Sequence, residues 1–94
     1  MLKGFTYITT NKNSTVLYIG ATKDLKKELK VIKMEQELFL QKKYNATILI
    51  YFEEFDNHID PFAREKQLKN WHKDWKWNLA KVLNPELKDL YLDL

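Results

Sequence analysis

Two short apolar runs lie near the start of the chain, Gly4-Phe5-Thr6-Tyr7-Ile8 and Val16-Leu17-Tyr18-Ile19-Gly20. Between them stands a stretch of turn formers, Thr9-Thr10-Asn11-Lys12-Asn13-Ser14-Thr15. β-Prone runs separated by such a segment read as a hairpin. Antiparallel pairing brings the hydroxyls of Tyr7 and Tyr18 to a common surface. Further on, Leu25, Leu29 and Ile32 recur at helical spacing, which predicts a helix over residues 22–33. Thr22 is its expected N-cap, and Asp24 suits the first turn beside the positive helix end. Glu28 falls between Leu25 and Ile32 on the wheel and so projects toward the sheet, whereas Lys27 points away. Residues 34–44, with Leu38, Phe39 and Leu40 followed by Gln41-Lys42-Lys43, read as the frayed helix end and a connection.

The run Ala46-Thr47-Ile48-Leu49-Ile50-Tyr51-Phe52 is β-branched, aromatic and almost continuously apolar, the pattern of a strand covered on both faces. Its partners should be the two hairpin strands. Asp60-Pro61 then offers a cap followed by a proline at the first helical position. From Phe62 onward Leu68, Trp71, Trp75, Leu79 and Val82 keep helical spacing over about six turns, predicting one long helix with Trp71 and Trp75 in the core. Trp77 falls on the opposite side of that wheel. Asn84-Pro85 repeats the cap-and-proline signal and predicts a short last helix that buries Leu87, Leu90, Tyr91 and Leu94. The expected order is β-β-α-β-α-α, an α+β fold with a three-stranded antiparallel sheet flanked by helices.

With 94 residues there is room for one core, so a single domain over residues 1–94 is expected. Apolar residues make up 45 %, which favours a packed domain over disorder. A domain of this size buries about two-thirds of its unfolded surface, which leaves either a monomer or a homodimer open. Cysteine is absent, which excludes disulfides and thiolate metal sites. No stretch approaches the roughly 20 apolar residues of a membrane span, and a cytoplasmic location is expected. The net charge of +3 permits nucleic-acid contact without establishing it.

The spaced pair of tyrosine motifs resembles the GIY-YIG motif of a nuclease superfamily. The resemblance continues through Thr22-Lys23-Asp24-Leu25, Lys42-Lys43-Tyr44-Asn45, Ala63-Arg64-Glu65-Lys66-Gln67-Leu68-Lys69-Asn70-Trp71, Asn84-Pro85 and Asp89-Leu90-Tyr91. It is strongest to small stand-alone bacterial proteins made of one such domain. The resemblance implies phosphodiester hydrolysis with one divalent metal, Mg²⁺ or Mn²⁺. It places the metal-ligating carboxylate at Glu65, the water- and phosphate-positioning phenols at Tyr7 and Tyr18, and a polar site-edge residue at Asn84. Nucleic acid, with DNA favoured, is the implied partner, and Arg64, Lys27, Lys66 and Lys69 are the cations expected to meet it. Read from the residues alone, Glu65 lies about 80° from the centre of the apolar stripe and borders the core. Arg64 falls nearer the buried side, where it pairs with a carboxylate, Glu65 or another, or contacts phosphate. Asn84 before proline is equally an ordinary N-cap.

One position departs from the family pattern. GIY-YIG nucleases place an arginine on the first helix, facing the sheet, where its fork stabilises charge that grows in the transition state. The matching residue here is Glu28, and one turn later stands Ile32 where a polar residue is common. Three functions follow. The first is an endonuclease-like domain, weak or inactive, retained for binding nucleic acid. The second is an active metal-dependent endonuclease with Glu28 and Glu65 sharing the metal. The third is a protein-interaction module.

Overall fold

In the computed structural model, which describes residues 2–37 and 46–94, the early apolar runs form β1 (Gly4–Thr10) and β2 (Leu17–Thr22). They pair antiparallel, with Tyr7 opposite Gly20 and Thr9 opposite Tyr18. The turn between them is held by Asn11, whose Oδ1 accepts from the N–H groups of Thr15 and Val16 at 2.8 and 3.1 Å. The side chain thus satisfies donors that the turn leaves open.

The third strand, β3 (Ile48–Phe55), pairs with β1 alone, so the order is β2-β1-β3 and β1 is central. It starts two residues later than the apolar run and continues through Glu53 and Glu54. A register shift between Ile8 and Thr9 leaves Ile50 without an opposite residue on β1. The bulge turns the consecutive Ile50 and Tyr51 to one face, with Ile8, Ile19, Leu68 and Ala80. Tyr7 and Leu49 face the other way with Leu25 and Leu29. Both faces of β3 are covered, as its composition predicts.

The helix α1 (Leu25–Glu37) supplies the second of these faces. Its cap is Asp24, not Thr22. Asp24 Oδ1 accepts from the Lys27 N–H at 3.1 Å, and Thr22 Oγ1 accepts from the Asp24 N–H at 3.2 Å. Thr22 is still paired in β2, opposite Phe5, which moves the helix start downstream. The helix also runs past Lys33 to Glu37, within the stretch expected to hold its end. The remainder of that connection, including Leu38, Phe39, Leu40 and Lys42-Lys43-Tyr44-Asn45, lies outside the described residues.

The expected long helix is two helices, α2 (Asp60–Lys69) and α3 (Lys73–Leu83). Asp60 is the first helical residue and not the cap. Asn57 Oδ1 takes the N–H groups of Ile59 and Asp60 at 2.9 and 2.8 Å instead. The α2 end tightens, with Asn70 N–H on the Gln67 carbonyl and Trp71 N–H on the Leu68 carbonyl, both at 3.1 Å. His72 is extended, and its Nδ1 accepts from the Asp74 N–H at 3.3 Å to start α3. This elbow re-phases the apolar stripe. Trp71, Trp77 and Leu79 pack beside the core, while Trp75 is 60 % exposed and Val82 77 %. The expected core position of Trp75 is therefore corrected, and Val82 of the same expected stripe faces solvent.

No α-helix starts at Asn84-Pro85. Asn84 ends α3, and the chain runs on to a 3₁₀ turn at Leu90–Asp93. Asp89 anchors that turn. Its carboxylate accepts from the Leu49 and Tyr91 N–H groups, both at 3.1 Å, and pairs with Lys33 at 2.6 Å. Leu90, Tyr91 and Leu94 are thereby laid against the α1 side of the sheet, and Leu87 against the other. The fold is α+β in the order β-β-α-β-α-α, with α3 as its last α-helix. No helix among the described residues is long and apolar enough to cross a membrane.

Candidate active site

Tyr7 occupies the middle of the central strand and is 1 % exposed. Its ring lies over Gly20 on β2, where a Cβ would come within 2.5 Å of the phenol Cζ and Oη. Tyr18, two residues before Gly20 and so on the same face, sets its ring 6.3 Å from that of Tyr7. The two tyrosines do share a surface. Across it, Glu28 projects from α1 toward the sheet, and the Tyr7 hydroxyl donates to Glu28 Oε2 at 2.9 Å.

This contact sets the chemistry of Tyr7. Burial disfavours the phenolate first, and the neighbouring Glu28 carboxylate adds to it, so the phenol is pushed far above its ordinary range. Tyr7 is thus a neutral hydrogen-bond donor to Glu28. The Glu65 carboxylate is among the charges that act on Tyr7, and Tyr18 is among those that raise Lys69. Glu65 and Lys69 come from α2, which packs on β1 and β2 from the opposite side to α1. The site therefore gathers at the β2 side of the sheet, where residues from both layers meet.

Glu65 accepts from Lys69 Nζ at 2.7 Å, a one-turn pair that also raises the Lys69 ammonium. Arg64 does not join them. Its guanidinium forks onto Glu53 of β3, Nε to Oε1 at 3.0 Å and Nη2 to Oε2 at 3.0 Å, and its Nη1 reaches Gln67 at 2.6 Å. Tyr51 donates to the same Glu53, and its phenol is pushed up to about 12, chiefly by burial. Lys27 and Lys66 are exposed and outside this cluster of contacts. Asn84 is placed elsewhere, under the last turn against β3. Its amide donates to the Ile50 and Lys88 carbonyls at 3.2 and 2.9 Å and its Oδ1 accepts from the Lys88 N–H at 3.0 Å, so both N–H donors serve the fold.

Carboxylates and phenols make an all-oxygen donor set, which suits a hard cation. Among the described residues no three His, Cys, Asp or Glu side chains gather to cage one. A single carboxylate anchor such as Glu65 fits an ion that keeps most of its waters. Two residues that fix these side chains escaped the sequence reading. Glu53 is the partner of Arg64, and its position after an apolar run carries no signal of that pairing. Gly20 is the floor under Tyr7, and its place directly after Tyr18-Ile19 was the available sign.

The raised phenols give a measurable consequence. Titration of tyrosinate absorbance is expected to leave Tyr7 and Tyr51 protonated past about pH 10, where tyrosine ordinarily ionises. Both folded-state pKa values exceed the unfolded one. The associated stability is therefore complete below about pH 10 and is lost as pH rises above it. Denaturant midpoints should fall over that window, and Tyr7→Phe should flatten the fall. A midpoint that is flat in the native chain would contradict the assignment.

The family model of the GIY-YIG catalytic domain matches residues 3–78, which include both tyrosines, Glu28 and Glu65 and end within α3. No curated protein and no solved structure matches the chain. GIY-YIG nucleases act on nucleic acid and depend on a divalent metal. With the two tyrosine motifs paired across β1 and β2 and the match spanning most of its length, the chain belongs to the GIY-YIG family of endonuclease-like domains.

Proposed function

We propose that this domain binds nucleic acid, DNA by preference, at its GIY-YIG cleft and cleaves it weakly or not at all. The hydrogen bond from Tyr7 to Glu28 carries this reading. Phosphodiester hydrolysis builds negative charge on the phosphate oxygens, and a carboxylate at that place repels both substrate and transition state. The same bond commits the Tyr7 hydroxyl to Glu28 rather than to a phosphate. Arg64 is no replacement, because its fork is already on Glu53. Lys69 is half exposed beside Glu65 and attracts the backbone as a point charge. Glu65 would hold Mg²⁺ or Mn²⁺, which supplies neutralisation of phosphate charge when bound.

A second reading is supported by Glu28 and Glu65 both acting on the Tyr7 phenol. In an active endonuclease these two carboxylates would together hold the metal. One experiment separates these functions. The protein is incubated with nicked, branched and single-stranded DNA and with RNA, plus Mg²⁺ or Mn²⁺, beside a Glu65→Ala control. The expected result is binding that weakens steeply with salt and no cutting above the control. Cleavage that disappears in Glu65→Ala would establish the active enzyme instead. Absence of binding to every substrate would leave the protein-interaction module.

A further inference from the structure

The elbow between α2 and α3 presents an indole that the cleft does not use. Trp75 is 60 % exposed. A lone exposed apolar side chain needs no explanation, but this one is held within a cluster of rings. The Arg64 guanidinium, fixed by Glu53, lies 5.1 Å from the centre of the Trp71 ring. Trp71 meets Trp75 edge-on at 6.1 Å and 82°, and the His72 ring stands 6.4 Å from Trp75. Two neighbouring rings thus orient an indole that remains largely in water.

The surroundings are cationic. Residues 65–76 carry four lysines against two acidic residues, Glu65, which pairs with Lys69, and Asp74. Lys66, Lys69 and Lys73 are exposed, and Lys76 reaches across the elbow to donate to the Lys69 carbonyl at 3.3 Å. Helix α1 is also rich in lysine, yet the apolar side chains exposed on it, Val31 and Met34, are aliphatic. The elbow instead sets an aromatic face among its cations. Such a pairing matches a nucleic-acid strand whose bases are unpaired, since every base has a face to stack and each link carries a phosphate. A duplex offers only its phosphates, because its base faces already cover one another.

We propose that Trp75 is a stacking platform for an unpaired base of single-stranded DNA, with Lys69, Lys73 and Lys76 meeting the adjacent phosphates. The inference rests on the nucleic-acid reading above and narrows its substrate to strands with exposed bases.

The test is equilibrium binding of the full chain to four labelled probes of equal length at fixed salt. They are a thymidine single strand, an abasic DNA strand, a blunt DNA duplex and a uridine RNA strand. The thymidine strand is expected to bind tightest. Trp75→Ala should weaken it by about 5- to 150-fold while leaving the abasic strand and the duplex unchanged, and Trp75→Phe should restore most of the loss. Where Trp75→Ala disturbs the fold, Trp75→Leu gives the same comparison, keeping bulk without an aromatic face. Equal affinity for thymidine and abasic strands, or indifference to Trp75→Ala and Trp75→Leu, overturns the platform while nucleic-acid binding stands. Tighter binding of RNA overturns the DNA assignment. Failure to bind any probe overturns the nucleic-acid reading and the platform with it.

Discussion

Replacing Glu28 by arginine is expected to raise metal-dependent DNA cleavage about 100- to 1,000-fold over the native chain, the range that one well-placed electrostatic donor controls. The geometry for the gain is already present. Glu28 reaches the Tyr7 hydroxyl at 2.9 Å, so a side chain from that position of α1 lies beside the tyrosine pair. The substitution removes a repelling charge and adds a planar fork suited to phosphate. Glu28→Gln, which only removes the charge, should give a smaller gain. Glu28→Arg combined with Glu65→Ala should return cleavage to background. The exchange deprives the buried Tyr7 hydroxyl of its acceptor, worth about 1–3 kcal/mol when nothing replaces it, so denaturation midpoints must accompany the rates. A folded Glu28→Arg protein that still cuts no faster than the native chain would show that Glu28 is not what holds the activity down.

The placement of Glu28 was legible from the sequence because it depends only on local geometry. Leu25, Leu29 and Ile32 fix the buried stripe of α1, and Glu28 must lie beside it. The hairpin was legible for the same reason, since Asn11 and its neighbours mark the turn and alternation fixes the faces. What failed depended on events that periodicity does not carry. Trp71, Trp75, Leu79 and Val82 continue a helical spacing straight through the elbow, although His72 caps a new helix there. The break in helical phase at the elbow leaves Trp75 and Val82 exposed and Trp77 packed beside the core. Asn84 before Pro85 carries the residue types of a helix start, yet its amide is drawn to the Ile50 carbonyl, 34 positions away. Arg64 does pair with a carboxylate, as its place near the buried side implies, and the folded sheet makes that carboxylate Glu53. At Asn84 a local signal competes with a distant partner, and the distant partner is set by the folded sheet.

Gly20 shows the same competition at the centre of the site, and Gly20→Ala is expected to destabilise the fold by about 1–3 kcal/mol through overpacking. The sign is decided by two opposing effects. Gly20 has no positive φ, so alanine fits its backbone and would, on chain entropy alone, stabilise by about 0.4–1 kcal/mol. Against this, the new Cβ would stand 2.5 Å from both Cζ and Oη of Tyr7, a distance at which the ring must move. Movement is costly, because Tyr7 is 1 % exposed, packed with Leu25, Leu29 and Leu49, and tied at its tip to Glu28. The steric effect wins, and the ring's displacement breaks its bond to Glu28. A double-mutant cycle isolates the contact. In a Tyr7→Leu background, whose side chain ends short of the clashing atoms, Gly20→Ala should lose most of its effect. An undiminished loss in that background would place the strain elsewhere. Gly20 would then be a requirement of β2 itself and not of the tyrosine above it.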